Sequence, residues 1–229
     1  MSVSAAEHRR LQLAVRARAI AEILAAWPLF EGDLASWSRF VPVALAVIRA
    51  RHRDSAALAS AHLREWSVEQ GLGPPEAPLP PPPPPELLAR SLGATGLAGT
   101  WRALSVGMSL EAAREAGFAR LAMAAGRHVM DGGRGVVVEA VRLQPELRWR
   151  RVTGARPCAF CAMLASRGPV AETVDFPAHD GCSCTAEPAL AGEGRNRREQ
   201  ELYARWREAA AGLSGAEALR AFRRALSGV

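Results

Sequence analysis

Lysine is missing from this 229-residue chain: all 29 basic residues are arginine, and asparagine occurs once, at Asn196. With alanine, glycine and proline abundant, the pattern reports a GC-rich coding genome rather than a selected chemistry. Aromatic residues are scarce at 6%, which leaves few platforms for stacking unpaired bases. No long apolar run exists either. The longest, Phe40 to Ile48, lies between Arg39 and Arg49 and falls far short of the roughly 20 residues of a membrane span, so no membrane partner is expected. Met1 to Arg18 carries Glu7, Arg9, Arg10, Arg16 and Arg18 with no uninterrupted apolar segment, which argues against a secretory signal.

What is present fits a folding chain made in a reducing cytoplasm. Hydrophobic residues make up 49% and charged residues 23%, ordinary globular usage. The length suits one good core plus an appended module. A net charge of +6 with a pI near 10.3 would suit nucleic acid or an acidic protein surface without choosing between them.

The expected fold class is mainly α: helical domains joined by a proline-rich tether, with a small zinc-stapled loop or β-ribbon module near the C-terminus. An N-terminal helical region covers 1–73. Leu13, Ile20, Ile23, Leu24 and Trp27 form one helical stripe ended by Pro28, and Asp33 caps a second helix in which Pro42 marks a kink or a later start. A third stretch spans about 56–70. Residues 74–85 form the linker; nine of these twelve are proline, which pre-sets an extended spacer. A helical core follows at 86–145, where Ser109 opens a helix expected to break at Asp131-Gly132-Gly133, and Val136 to Leu143 reads equally as strand or helix. The metal module covers 146–190, entered by an alternating Leu147, Trp149, Arg151 strand. Two C-terminal helices occupy 191–229, separated near Gly212 to Gly215.

The chemistry concentrates in Cys158-x2-Cys161-x17-His179-x2-Cys182-x-Cys184. Two knuckles of this kind can place thiolates about 2.3 Å from one tetrahedral ion, and in a reducing compartment such pairs read as a structural zinc site before a disulfide. Five donors compete for four positions. We expect Cys158, Cys161, His179 and Cys184 on the metal, with Cys182 the fifth candidate; Arg151, Arg156 and Arg167 stand nearby to offset thiolate charge. Residues 142–167 hold six arginines against one glutamate, so Arg148, Arg150 and Arg151 are candidate contacts for nucleic acid or a partner.

The strings Arg148-Trp149-Arg150-Arg151-Val152, Cys158 to Val170 and Phe176-Pro177-Ala178-His179-Asp180-Gly181-Cys182-Ser183-Cys184, with Leu202 to Trp206 and Ala221 to Arg224, resemble the Mu F-like head morphogenesis family, particularly minor capsid proteins of actinobacterial phages and prophages. Ala171 and Pro177 depart from the pattern without removing a donor. The resemblance, over roughly residues 85–226, implies a minor head component in the virion interior, and in the host cytoplasm during assembly. It implies portal, capsid or scaffold proteins as partners, with genomic DNA a further one. Two alternatives are a capsid maturation protease and a nucleic-acid-binding zinc module. For the protease, Ser166, Ser183, His128 and His179 exist, but no sequence context singles one out.

Overall fold

The computed structural model describes residues 4–73, 75, 77–170 and 175–227; Ala171 and, in the proline segment, Pro74 and Glu76 lie outside them. The protein is mainly helical, and its described strands form one two-stranded sheet. Helix α1 (Ala5–Ala26) starts where the Ser4 hydroxyl accepts the Glu7 N–H. Its buried face is His8, Gln12, Ala19 and Ile23, continued by Trp27 in a short 3-10 turn. The expected stripe is therefore shifted: Leu24 is exposed, and the first half of the buried face is polar.

Helix α2 (Leu34–Glu69) has the predicted Asp33 cap, made reciprocal by Ser36. It runs unbroken through Pro42, so the second and third predicted helices are one element. Pro42 is exposed and so is Ser38, whose carbonyl loses its helical N–H to the proline ring; water can satisfy it. Phe30 and Phe40 are fully buried and interlock with Trp27 and Trp37 at centroid distances of 4.9 to 5.4 Å. Burying each ring is worth up to about 3 kcal/mol before conformational costs.

Helices α3 (Pro85–Leu92) and α4 (Ala98–Ser105), linked by a π turn, lead to α5 (Leu110–Leu143). The Ser109 cap is as predicted, but α5 does not break at Asp131-Gly132-Gly133. These glycines are contact points. A Cβ on Gly132 would lie 2.2 Å from the His52 carbonyl oxygen of α2, and one on Gly133 would lie 2.6 Å from Gln12 Nε2 of α1. The helical propensity lost, about 1 kcal/mol per glycine, allows three backbones to approach. Val136, Val137 and Val138 continue the helix because all three are buried against α2 and the sheet, and packing overrides their strand propensity.

The proline segment does not hold its flanking helices apart, since Ile23 of α1, Phe40 of α2, Leu88 of α3 and Leu121 of α5 share one core. Residues 78–81 of the segment lie along α5, with Pro80 Cγ 3.0 Å from the Cβ position of Gly135. Beyond α5, β1 (Leu147–Val152) pairs antiparallel with β2 (Thr185–Leu190), Trp149 opposite Pro188 and Val152 opposite Thr185. Helix α6 (Ala159–Ala165) lies between the strands in sequence and packs through Ala162 on Leu202 and Phe222 of the C-terminal pair, α7 (Arg197–Ala209) and α8 (Gly215–Ser227).

Candidate metal centre

The two strands fix the two ends of the cysteine string. Past β1 the chain turns into α6, whose first residue is preceded by Cys158 as the cap: its sulfur accepts the Cys161 N–H at 3.4 Å. The second knuckle closes on itself before β2. The Cys182 N–H donates to the His179 carbonyl at 3.0 Å, and Gly181 occupies φ +79°, a left-handed position suited to glycine.

The structure brings all five predicted donors to one opening of about 240 Å³. They form two overlapping groups, Cys158–Cys161–His179 and Cys161–Cys182–Cys184, within each of which the donor atoms lie within 4.8 Å of one another. Cys161 belongs to both. His179 Nε2 is 3.2 Å from Cys158 Sγ and 3.3 Å from Cys161 Sγ, while Cys161 and Cys182 sulfurs are 3.7 Å apart. Sulfurs about 2.3 Å from a tetrahedral ion would be about 3.8 Å apart, so the Cys161–Cys182 spacing has the length of such an edge. His179 is in the tautomer a metal requires: Nδ1–H donates to the Asp180 carbonyl at 2.8 Å, leaving the Nε2 lone pair toward the sulfurs. Cys158 is exposed, and Cys161, Cys182 and Cys184 are buried.

Packed sulfurs cannot all ionise without a cation. Hydrogen bonds from the Cys161 and Cys184 thiols, with the Arg134 charge adding, hold Cys182 well below the ordinary thiol range; its neighbours push Cys161 correspondingly up. Arg151 faces the same sulfurs, its Nη1 3.9 Å from Cys161 and 3.8 Å from Cys182, with its guanidinium 3.8 Å over the Phe176 ring. The donor chemistry thus fits a soft or borderline divalent ion.

The sequence reading missed Arg134, which ties the second knuckle to the helical body. From α5 it donates to the carbonyls of Cys182 and Cys184 at 2.9 to 3.1 Å, and Asp131, one turn back, holds it at 2.7 Å. An Asp131–Arg134 pair on a helix face was available in the sequence, but it was hidden by reading the intervening glycines as a break.

Of the candidate nucleic-acid contacts, Arg150 and Arg151 are buried. Arg150 is held by Glu193 and by Glu199 at 3.1 Å, and Arg151 also donates to the Pro177 carbonyl; Arg148 donates to the Pro145 and Leu147 carbonyls. Of the protease candidates, Ser183 and His179 line the same opening, but Ser183 Oγ accepts from Arg9 while His179 Nε2 faces the Cys158 and Cys161 sulfurs; Ser166 Oγ donates to Met163 O, and His128 Nε2 meets Ser91 Oγ at 2.9 Å. Burial, with Arg127 adding, holds His128 at a pKa of about 4, which makes it a poor base at neutral pH.

The model of the VG15 protein family matches residues 2–209, nearly the whole chain. The chain belongs to the VG15 protein family. This is a viral or phage protein family, and the matched span includes all five donors. No curated protein and no solved structure matches the chain. Among the described residues, no helix is long and apolar enough to cross a membrane.

Proposed function

We propose that this VG15 protein is a minor capsid protein of the Mu F-like kind, bound near the portal inside the phage head and acting in head assembly or genome delivery. Zinc in the cysteine–histidine cluster would staple its C-terminal module. The observation that carries the reading is the match to a phage family across residues 2–209, within which lies the Cys-x2-Cys, His-x2-Cys-x-Cys string that resembles head morphogenesis proteins.

The role assigned to zinc is architectural. Asp180, which a catalytic site could use as acid or base, is paired with Arg127 at 2.7 Å, and Glu187 is enclosed by His8 and His62. Cys158, Cys161, His179 and either Cys184 or Cys182 would hold the ion, with Arg151 and Arg134 offsetting thiolate charge. A partner surface is available at the far end of the helical body, where Leu34, Trp101, Val106, Met108 and Leu110 are exposed and Trp101 Nε1 donates to the Gly32 carbonyl.

The test is co-expression with the portal, scaffold and major capsid proteins of the same phage or prophage. Co-purification with the portal and incorporation into heads is the expected result. Heads that assemble and package normally without the protein, and never contain it, would overturn the reading.

A further inference from the structure

A tetrahedral site takes four donors and five line the cysteine opening, so one of them is spare. Three stand together on one side: Cys158, Cys161 and His179, whose Nε2 lies 3.2 Å from the first sulfur and 3.3 Å from the second. Cys182 and Cys184 group with the same Cys161 from the other side. The fourth ligand is therefore one of these two. Turn geometry, distance and charge all separate them.

Cys158 and Cys161 are three positions apart, and the Cys161 N–H donates to the Cys158 sulfur at 3.4 Å. His179 and Cys182 repeat that spacing in a turn closed by the Cys182 N–H on the His179 carbonyl at 3.0 Å, whereas Cys184 lies beyond the turn. Contacts of 3.2, 3.3 and 3.7 Å run from Cys158 through His179 and Cys161 to Cys182. The edges of a tetrahedral zinc site are about 3.6 Å between sulfur and nitrogen and about 3.8 Å between sulfurs. Charge separates the two cysteines most sharply. Arg151 is 3% exposed, and a buried guanidinium needs a counter-charge. Among the described residues no carboxylate pairs with it; its polar contacts are the Pro177 carbonyl and, through Nη1, the sulfurs of Cys182 at 3.8 Å and Cys161 at 3.9 Å. Those two sulfurs supply the charge once they are thiolates on a divalent ion. Cys184 is engaged through its backbone instead: its carbonyl accepts Arg134 Nε at 3.0 Å and Nη2 at 2.9 Å, and Thr185 beside it opens β2.

We propose that Cys158, Cys161, His179 and Cys182 hold the ion, and that Cys184 is a buried thiol beside them that ties β2 to α5 through its carbonyl and binds no metal. This assignment rests on the zinc reading above, and it differs from the set expected from the sequence, in which Cys184 is the fourth ligand. Three thiolates and a neutral imidazole around a divalent ion leave one negative charge, which Arg151 offsets at the edge between Cys161 and Cys182.

The test uses the full, unaltered chain, loaded with cadmium-113 under reducing conditions, so no variant has to fold. Cadmium-to-proton correlation NMR reports ligands through their bonds to the ion. One cadmium resonance should connect to the β-protons of Cys158, Cys161 and Cys182 and to the ring protons of His179. Because cadmium favours sulfur more than zinc does, X-ray absorption of the zinc-loaded chain provides the second measurement, and should count three sulfurs and one nitrogen. A connection to the Cys184 β-protons, a second cadmium resonance sharing Cys161, or four sulfurs around zinc would overturn the assignment while leaving the metal reading intact. A chain that takes up neither ion would overturn both.

Discussion

His128 shows how one buried side chain makes the whole protein depend on pH. It is 2% exposed in α5, and burial, followed by the Arg127 charge, pushes its pKa from 6.5 to about 4. The unfolded chain binds this proton in a range where the folded one does not, so stability attributable to His128 falls as pH drops from above 6.5 toward 4. Between pH 7 and pH 5 the loss is about 2 kcal/mol, readable as a lower urea midpoint, and His128→Gln should remove most of that loss. An unchanged difference between the two pH values in the variant would exclude His128 as its source. At this scale the sequence was legible where chemistry is local: the Asp33 and Ser109 caps need only residues three positions away. It was not legible for His8, His62 and Glu187, whose contacts span 125 and 179 positions, nor for Arg150 and Arg151, where an arginine-rich strand looks the same whether its carboxylate and sulfur partners exist or not.

The helices themselves were partly readable, and the errors share a cause. Proline at 42 and glycines at 132 and 133 are breakers by local rule, yet both helices continue because tertiary packing outweighs about 1 kcal/mol per glycine, and because the Pro42 defect faces water. Contact is what Gly132 supplies, and this can be measured. Gly132→Ala gains helical propensity but places Cβ 2.2 Å from the His52 carbonyl oxygen, so α2 and α5 must separate; a net loss of roughly 2 kcal/mol is expected in urea unfolding. Gly93→Ala is the matched control. Gly93 has helical φ and ψ of −60° and −44° and nothing within 4 Å of its Cβ position, so the variant should be neutral or up to about 1 kcal/mol more stable. Equal effects at the two sites would mean that propensity, not contact, governs the glycines of α5.

Over the whole molecule, the distribution of apolar burial sets what a metal would hold together. The helical body has a continuous core from Ala19 through Phe40 and Leu121, whereas around the cysteines the buried cluster among the described residues is Cys161, Cys182 and Cys184, flanked by Phe160, Phe176 and Ala178. The five donors were readable because their spacing is itself the signal; their enclosure by Arg134 and Arg151 was not, because it requires α5 and β1 to be placed first. On the proposal that the cluster holds zinc, a region with so little apolar surface would draw its stability from the ion, whereas the body would not. Removing metal with a chelator under reducing conditions should therefore loosen α6 and the knuckles first. Tryptic cleavage after the exposed Arg167, at the end of α6, should accelerate at least roughly tenfold, while far-ultraviolet helical signal, dominated by α1, α2 and α5, is largely retained. Restoring zinc should restore protection. Cooperative loss of the whole helical signal would instead show that the body leans on the module, through Arg134 and the His8–Glu187–His62 contacts, for its own stability. Indifference of the Arg167 site to chelation would remove the structural role assigned to the ion.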